Sequence, residues 1–140
     1  MQKGTRITEV MSHHVIVATA SHTFSQACRL FLEFNLHHLP VVDEEDHVLG
    51  IISSYDVLRI YNTEVAKLTN VSEDALDEKF KLADIMTASP VTISLDENIG
   101  HAAEIFTNRG IQSLPVVDGS GKIKGIITVR DLVKQFAIYG

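Results

Sequence analysis

The sequence predicts an α+β fold made of two tandem βαββα repeats packed about a pseudo-twofold axis. Three observations carry this expectation. First, the chain repeats itself at an offset of 75 residues without a gap. The offset pairs Met11 with Met86, Ala27 with Ala102, Phe31 with Phe106, LPVVD at 39–43 with LPVVD at 114–118, Gly50 with Gly125 and Asp56 with Asp131. About a dozen identities fall in roughly 55 paired positions, and about as many further pairs match apolar with apolar. Second, each copy reads in the same order: apolar turn, short strand, helix, hairpin, helix. Third, a repeat of about 55 residues with three short strands buries too little surface to be stable alone. Two such repeats packed sheet against sheet would share one core.

Repeat one spans 7–61, a connector 62–81 and repeat two 82–136, so 1–140 forms a single module. Each repeat opens with an apolar turn, ITEVM or LADIM. A small strand is expected around Ile16 and Val17, and around Val91 to Ile93. The next helix carries apolar residues at Ala27, Leu30, Phe31 and Phe34, and at Ala102, Ala103, Ile105 and Phe106, a helical spacing. Thr23 and Asn98 suit its N-cap, and Asn35 and Gly110 suit a left-handed stop at its end. LPVVD followed by HVLGIIS, and LPVVD followed by KIKGIIT, read as hairpins across EED and GSG turns. Pro40 and Pro115 should open their strands, where a missing N–H is tolerated. YDVLRIY and VRDLVKQF close the repeats as helices. In the connector, Ser72 with Glu73 and Asp74 marks a helix start, and no chemistry is expected there.

Bulk properties narrow the function classes. With 45% hydrophobic and 21% charged residues the chain has ordinary globular composition. A net charge of -6 argues against a nucleic-acid partner, whose phosphates call for a basic face. MQKGTRITEV lacks an apolar leader segment and no window approaches a membrane helix, so a soluble, cytoplasmic protein without a membrane partner is expected. Cys28 is the single cysteine, which excludes an intrachain disulfide and fits a reducing compartment.

The chemistry concentrates in a motif written twice, GIISSYD at 50–56 and GIITVRD at 125–131. Ser53 and Thr128 stand where a strand gives way to a helix, with an aspartate three residues on. That imitates a capping box, which needs no ligand. The same geometry suits a ligand lip. A helix N-terminus attracts phosphate, a hydroxyl adds a donor, and a carboxylate accepts hydrogen bonds from a ribose. Both readings stay open on local sequence.

The paired LPVVD and G-I-I-[S/T]-x-x-D motifs, in register across nearly the whole chain, resemble the CBS domain, the module named after cystathionine beta-synthase and usually found as a tandem pair. The resemblance implies a stand-alone tandem pair with ligand clefts between its repeats. It implies a regulatory role and an adenosyl ligand such as AMP, ADP, ATP or S-adenosylmethionine, sometimes an NAD-type molecule, and no cofactor. It also implies pairing into flat homodimers. On the same resemblance, Asp56 and Asp131 take the ribose, and Ser53 and Thr128 the phosphate side. The adenine slot falls to Ile16, Val17, Leu36, His37 and His38 in one copy, and to Val91, Thr92, Ile111, Gln112 and Ser113 in the other. Histidines such as His37 and His38 are more often simply partly exposed strand residues. The alternative function is a structural, dimerising and protein-interaction module without ligand. An effector protein would read the ligand state.

The two sites should differ. Repeat one sets seven acidic residues against Arg29 and Arg59; repeat two sets six against Arg109, Lys122, Lys124, Arg130 and Lys134. Arg130 lies inside the motif where repeat one has Tyr55, so it suits a bidentate phosphate contact, or else a solvated helix position. The Thr128/Asp131 site is therefore expected to be the better phosphate binder.

Other signals carry no function. His13-His14 and His37-His38 are adjacent pairs that point to opposite faces of an extended chain, with no partner to complete a metal set. DGSGKI lacks the Walker A glycine at Val116 and the hydroxyl at Ile123. No nucleophile and base stand out, and Cys28 sits on a helix where repeat two has Ala103, so no enzyme activity is expected.

Overall fold

The computed structural model describes residues 4–65, 67 and 72–139. The fold is mixed α+β and divides into two compact units, Ile16–Pro90 and Met1–Val15 with Val91–Gly140.

In the unit Ile16–Pro90, β1 (Ala18–Thr19) leads to α1 (Phe24–Glu33), the hairpin β2 (His38–Val42) and β3 (Val48–Ser53), and α2 (Ser54–Val65). The short helices α3 (Glu73–Lys79) and α4 (Leu82–Ile85) and the strand β4 (Thr87–Ala88) complete it. The sheet order is β1-β2-β3-β4, with only β1 and β2 parallel. In the other unit, a 3-10 turn (Ile7–Glu9) is joined by β5 (Ile93–Ser94), α5 (Ile99–Arg109), β6 (Ser113–Val117), β7 (Ile123–Thr128) and α6 (Val129–Tyr139). Its sheet runs β5-β6-β7.

Local sequence explains why the elements begin and end where they do. Thr23 Oγ1 accepts the Gln26 amide while Gln26 returns its side-chain oxygen to the Thr23 N–H, a reciprocal cap on α1. Asn98 caps α5 through the His101 amide. Asn35 follows α1 at φ 52° and Gly110 ends α5 at φ 64°, both left-handed, so one backbone stop is built with two residue types. The hairpin turns also match. Asp43 Oδ1 accepts the Glu45 and His47 amides, Asp118 Oδ1 accepts those of Ser120 and Lys122, and the left-handed positions fall at Asp46 and Gly121. Both hairpins shift register at the same step, Val41/Val42 and Val116/Val117.

Two expectations are corrected. The first strand of each repeat starts at Ala18 and at Ile93, so Ile16, Val17, Val91 and Thr92 precede it. These strands are two residues long because each pairs only with the last two residues of the neighbouring β2 or β6. Pro40 and Pro115 stand in the middle of their strands rather than opening them. Pairing with β1 and β5 begins one residue later, at Val41 and Val116. Within each unit the buried side chains form a cluster of their own.

The units do not follow the repeats. The segment that leads repeat one supplies Ile7 and Met11 to the cluster of Ile93, Ile99, Leu114, Val116 and Ile127 in repeat two. The segment that leads repeat two supplies Leu82, with Ile85 and Met86 beside it, to the cluster of Ala27, Phe31, Leu39, Val41 and Ile52 in repeat one. Backbone pairing repeats the exchange. Ser12 and Ile126 trade hydrogen bonds at 2.9 and 3.1 Å, and β4 pairs with β3 through Gly50↔Ala88 and Ile51↔Thr87. Each methionine crosses a strand glycine so closely that a Cβ could not fit: one at Gly50 would lie 2.6 Å from Met86 Cγ, and one at Gly125 2.5 Å from Met11 Sδ. That crossing is why the repeated motif opens with glycine.

The connector proves to be held by polar contacts. α3 starts at the Ser72 cap and lies on α1, where Asp77 accepts both the Ser25 amide and its hydroxyl at 2.7 Å. Arg29 donates to both oxygens of Glu73, Phe24 meets Phe80 at 5.6 Å between ring centroids, and Lys79 reaches Glu64 on α2. Residues 66 and 68–71 of the connector lie outside the described residues.

Candidate functional site

Each motif closes a strand and opens a helix in a single step. At the end of β3 the Ser53 amide donates to Asp56 Oδ2 at 2.9 Å, and the Asp56 amide donates to Ser53 Oγ at 3.0 Å. At the end of β7 the Thr128 amide donates to Asp131 Oδ2 at 2.8 Å, and the Asp131 amide donates to Thr128 Oγ1 at 3.2 Å. The capping-box reading of the sequence is therefore correct in both copies. It fixes one oxygen of each aspartate and leaves the other for a second partner.

Of the other residues singled out in the sequence, His37, His38, Gln112 and Ser113 adjoin these caps, and each set lies inside one unit. His38 pairs with Ser53 across the β2–β3 ladder, and the Ser54 amide donates to the His37 carbonyl at 2.8 Å. Leu36, Ile16 and Val17 are half-buried, and Leu36 and Ile16 pack against the cluster of the same unit. In the other unit Ser113 pairs with Thr128, and the Val129 amide donates to the Gln112 carbonyl at 3.0 Å. Val91 and Ile111 pack against that unit's cluster, while Thr92 is exposed.

The two lips differ in charge and pairing. Arg59, one helical turn beyond Asp56, donates to its second oxygen, Oδ1, at 3.1 Å. Lys134 occupies the matched position and makes no such contact among the described residues, and Asp131 Oδ1 accepts from no described residue. Arg130 is exposed on the first turn of α6, where Tyr55 stands exposed on α2. Half-burial lowers the His38 pKa below its ordinary value; His37 adds to the shift and Asp56 opposes it, so the imidazole beside Ser53 is neutral at neutral pH. The surroundings widen the contrast: Ile16–Pro90 contains twelve acidic and five basic residues, and the other unit six acidic and seven basic.

The pairing of Arg59 with Asp56 was not expected from the sequence. An arginine three residues after an aspartate on a helix was a legible signal, but Lys134 fits the same pattern without pairing. Among the described residues no group of His, Cys, Asp and Glu is placed to hold a metal, and His13 instead contacts the Thr8 carbonyl. No helix among them is long and apolar enough to cross a membrane.

The CBS domain family model matches residues 7–63 and 82–138. L-aspartate semialdehyde sulfurtransferase of Methanocaldococcus jannaschii is 29% identical over 132 residues, covering 94% of this chain and 23% of that enzyme. The chain thus spans less than a quarter of the length of that curated relative. The CBS domain pair of protein MJ0100, solved with 5'-methylthioadenosine and S-adenosyl-L-methionine, superposes with a TM-score of 0.79 at 28% identity, covering 95% of this chain and 96% of that one. CBSX2 of Arabidopsis thaliana, solved with AMP, gives a TM-score of 0.78 at 27% identity, covering 96% and 97%. Two family matches in tandem, carried by the doubled motif and its doubled cap, place this chain in the CBS domain family as a CBS pair.

Proposed function

We propose that the chain is a regulatory module that binds an adenosyl ligand at its capped strand-to-helix lips. The observation that carries this reading is the open oxygen of Asp131: the cap holds one oxygen in place and leaves the other as an acceptor for ribose hydroxyls. Thr128 and the N-terminal turn of α6 offer donors for a phosphate, with Arg130 beside them. The adenosyl ligands of MJ0100 and CBSX2 support the ligand class. Val91, Thr92, Ile111, Gln112 and Ser113 would form the base slot of this lip, and Ile16, Val17, Leu36, His37 and His38 that of the lip of Ser53 and Asp56. The ligand works by binding one arrangement of the module better than another, and an effector protein reads the difference. The role is binding rather than catalysis, in the cytoplasm.

A thermal-shift panel with AMP, ADP, ATP, S-adenosylmethionine and NADH, with and without magnesium, tests the reading. A ligand at a hundred times its Kd should stabilise the fold by about 2.7 kcal/mol. Asp131→Ala should remove most of the shift and Asp56→Ala less; the reverse order overturns the asymmetry. No shift with any ligand at millimolar concentration favours the alternative, an interaction module. That second reading has one observation in its favour. Leu58 and Tyr61 on α2, and Val133 and Phe136 on α6, are exposed apolar residues at matched positions. We assign them to a homodimer, which sedimentation would detect.

A further inference from the structure

Resting on the reading of the lips as adenosyl sites, we propose that Arg59 is a built-in competitor for ligand at the first lip, and that the second lip has none. Each aspartate gives Oδ2 to its own cap, so Oδ1 is the less engaged oxygen and the better acceptor for a ribose hydroxyl. At Asp56 that oxygen already accepts the Arg59 guanidinium at 3.1 Å. At Asp131 it accepts from no described residue, although Lys134 stands one turn away just as Arg59 does. The difference lies in the side chains: a planar guanidinium presents several donors in a rigid fork, whereas an ammonium is a compact, strongly hydrated point charge.

A ribose entering the first lip competes with this contact for the same oxygen. Its hydroxyls are neutral donors and Arg59 is a charged one, so the exchange is unfavourable unless the rest of the ligand compensates. The Asp56 carboxylate is only 20% exposed, while Arg59 is 62% exposed. Arg59 can therefore swing into solvent without disturbing the fold, and the competition is graded rather than absolute. The first lip is thereby tuned to lower affinity than the second by one side chain that takes no part in the cap.

The test reads the first lip alone, in the full chain carrying Asp131→Asn, by calorimetric titration with adenosine, which has the ribose without a phosphate. Adding Arg59→Gln should tighten adenosine binding about two- to fivefold, the range an exposed ion pair commands. Arg59→Lys should move it in the same direction, because repeat two carries lysine there. In the converse background, Asp56→Asn, Lys134→Gln should leave adenosine affinity unchanged. Unchanged or weaker binding in Arg59→Gln, with an unaltered circular dichroism spectrum, overturns the proposal, as does an equal gain from Lys134→Gln. If the unmodified chain binds AMP but no variant binds adenosine, the competitor role fails while the site stands. If the unmodified chain binds neither AMP, adenosine nor S-adenosylmethionine, the site reading fails and this inference with it.

Discussion

At the scale of single residues, both meanings of the repeated motif come from one arrangement of atoms. Ser53 and Thr128 donate nothing to their caps through the hydroxyl; they accept an amide, and their own amides go to the aspartate. This much was legible, because a hydroxyl followed three residues later by an acid at a strand end has few other solutions. The leading glycine was visible as a repeated letter, but its reason was not, since the methionine that excludes a side chain comes from a distant segment. Gly125→Ala should cost about 1 to 3 kcal/mol in urea denaturation, as overpacking does, and should cost less when made in a Met11→Ala chain than in the parent. His38 gives a second expectation. Its pKa is lowered by burial, so the unfolded chain takes up a proton at higher pH than the folded chain. Stability from this site is complete well above its ordinary pKa of 6.5 and declines as the pH falls below that value. His38→Gln should flatten that acid decline in a pH series of thermal melts; an unaltered slope would exclude the imidazole as its source.

At the scale of elements, the helices and hairpins were readable because their signals are local: a cap, a periodic apolar face, a left-handed stop. The two-residue strands were placed early because Ile16, Val17 and Val91 look like strand residues, while pairing is decided by the short reach of the β2 and β6 ladders. The connector was underestimated for a similar reason. A polar helix reads as solvated until its carboxylates meet partners, and here the partner is the start of α1. Asp77 takes the Ser25 amide and hydroxyl, an arrangement that Gly100 cannot reproduce at the matched position of α5. Asp77→Ala should therefore destabilise the unit Ile16–Pro90 by about 1.5 to 3 kcal/mol, the range for hydrogen bonds to a charged group, and should deprotect amides at the start of α1 in hydrogen exchange. Asp74→Ala, on the exposed side of the same helix, should stay within about 0.5 kcal/mol of the parent. Equal losses from the two would mean that helix propensity, rather than the contact with Ser25, is what matters.

At the scale of the whole molecule, the duplication was plain in the sequence and the exchange of leading segments was not. ITEVM and LADIM are equally apolar, so each fits either cluster, and only the path of the chain decides which one it enters. Removing residues 1–15 should strip Ile7 and Met11 from the cluster built on Val91–Gly140. Two buried side chains of this size are worth about 3 to 6 kcal/mol. Hydrogen exchange should show β7 and α5 losing protection while β2 and β3 keep theirs. Uniform loss across both sheets would show that the two units unfold as one.

The exchange also limits what one repeat can be. A peptide comprising residues 16–81 would carry a hairpin whose outer strand lacks β4, and a patch of cluster that Leu82 should cover. A peptide comprising 82–138 would carry the missing piece and lack Ile7 and Met11 in turn. Each repeat is thus a sentence whose opening clause is printed at the head of the other. A chain bearing a single repeat would have to borrow that clause from a second molecule, whereas residues 16–90, cut out of step with the repeat, carry every piece of their own cluster.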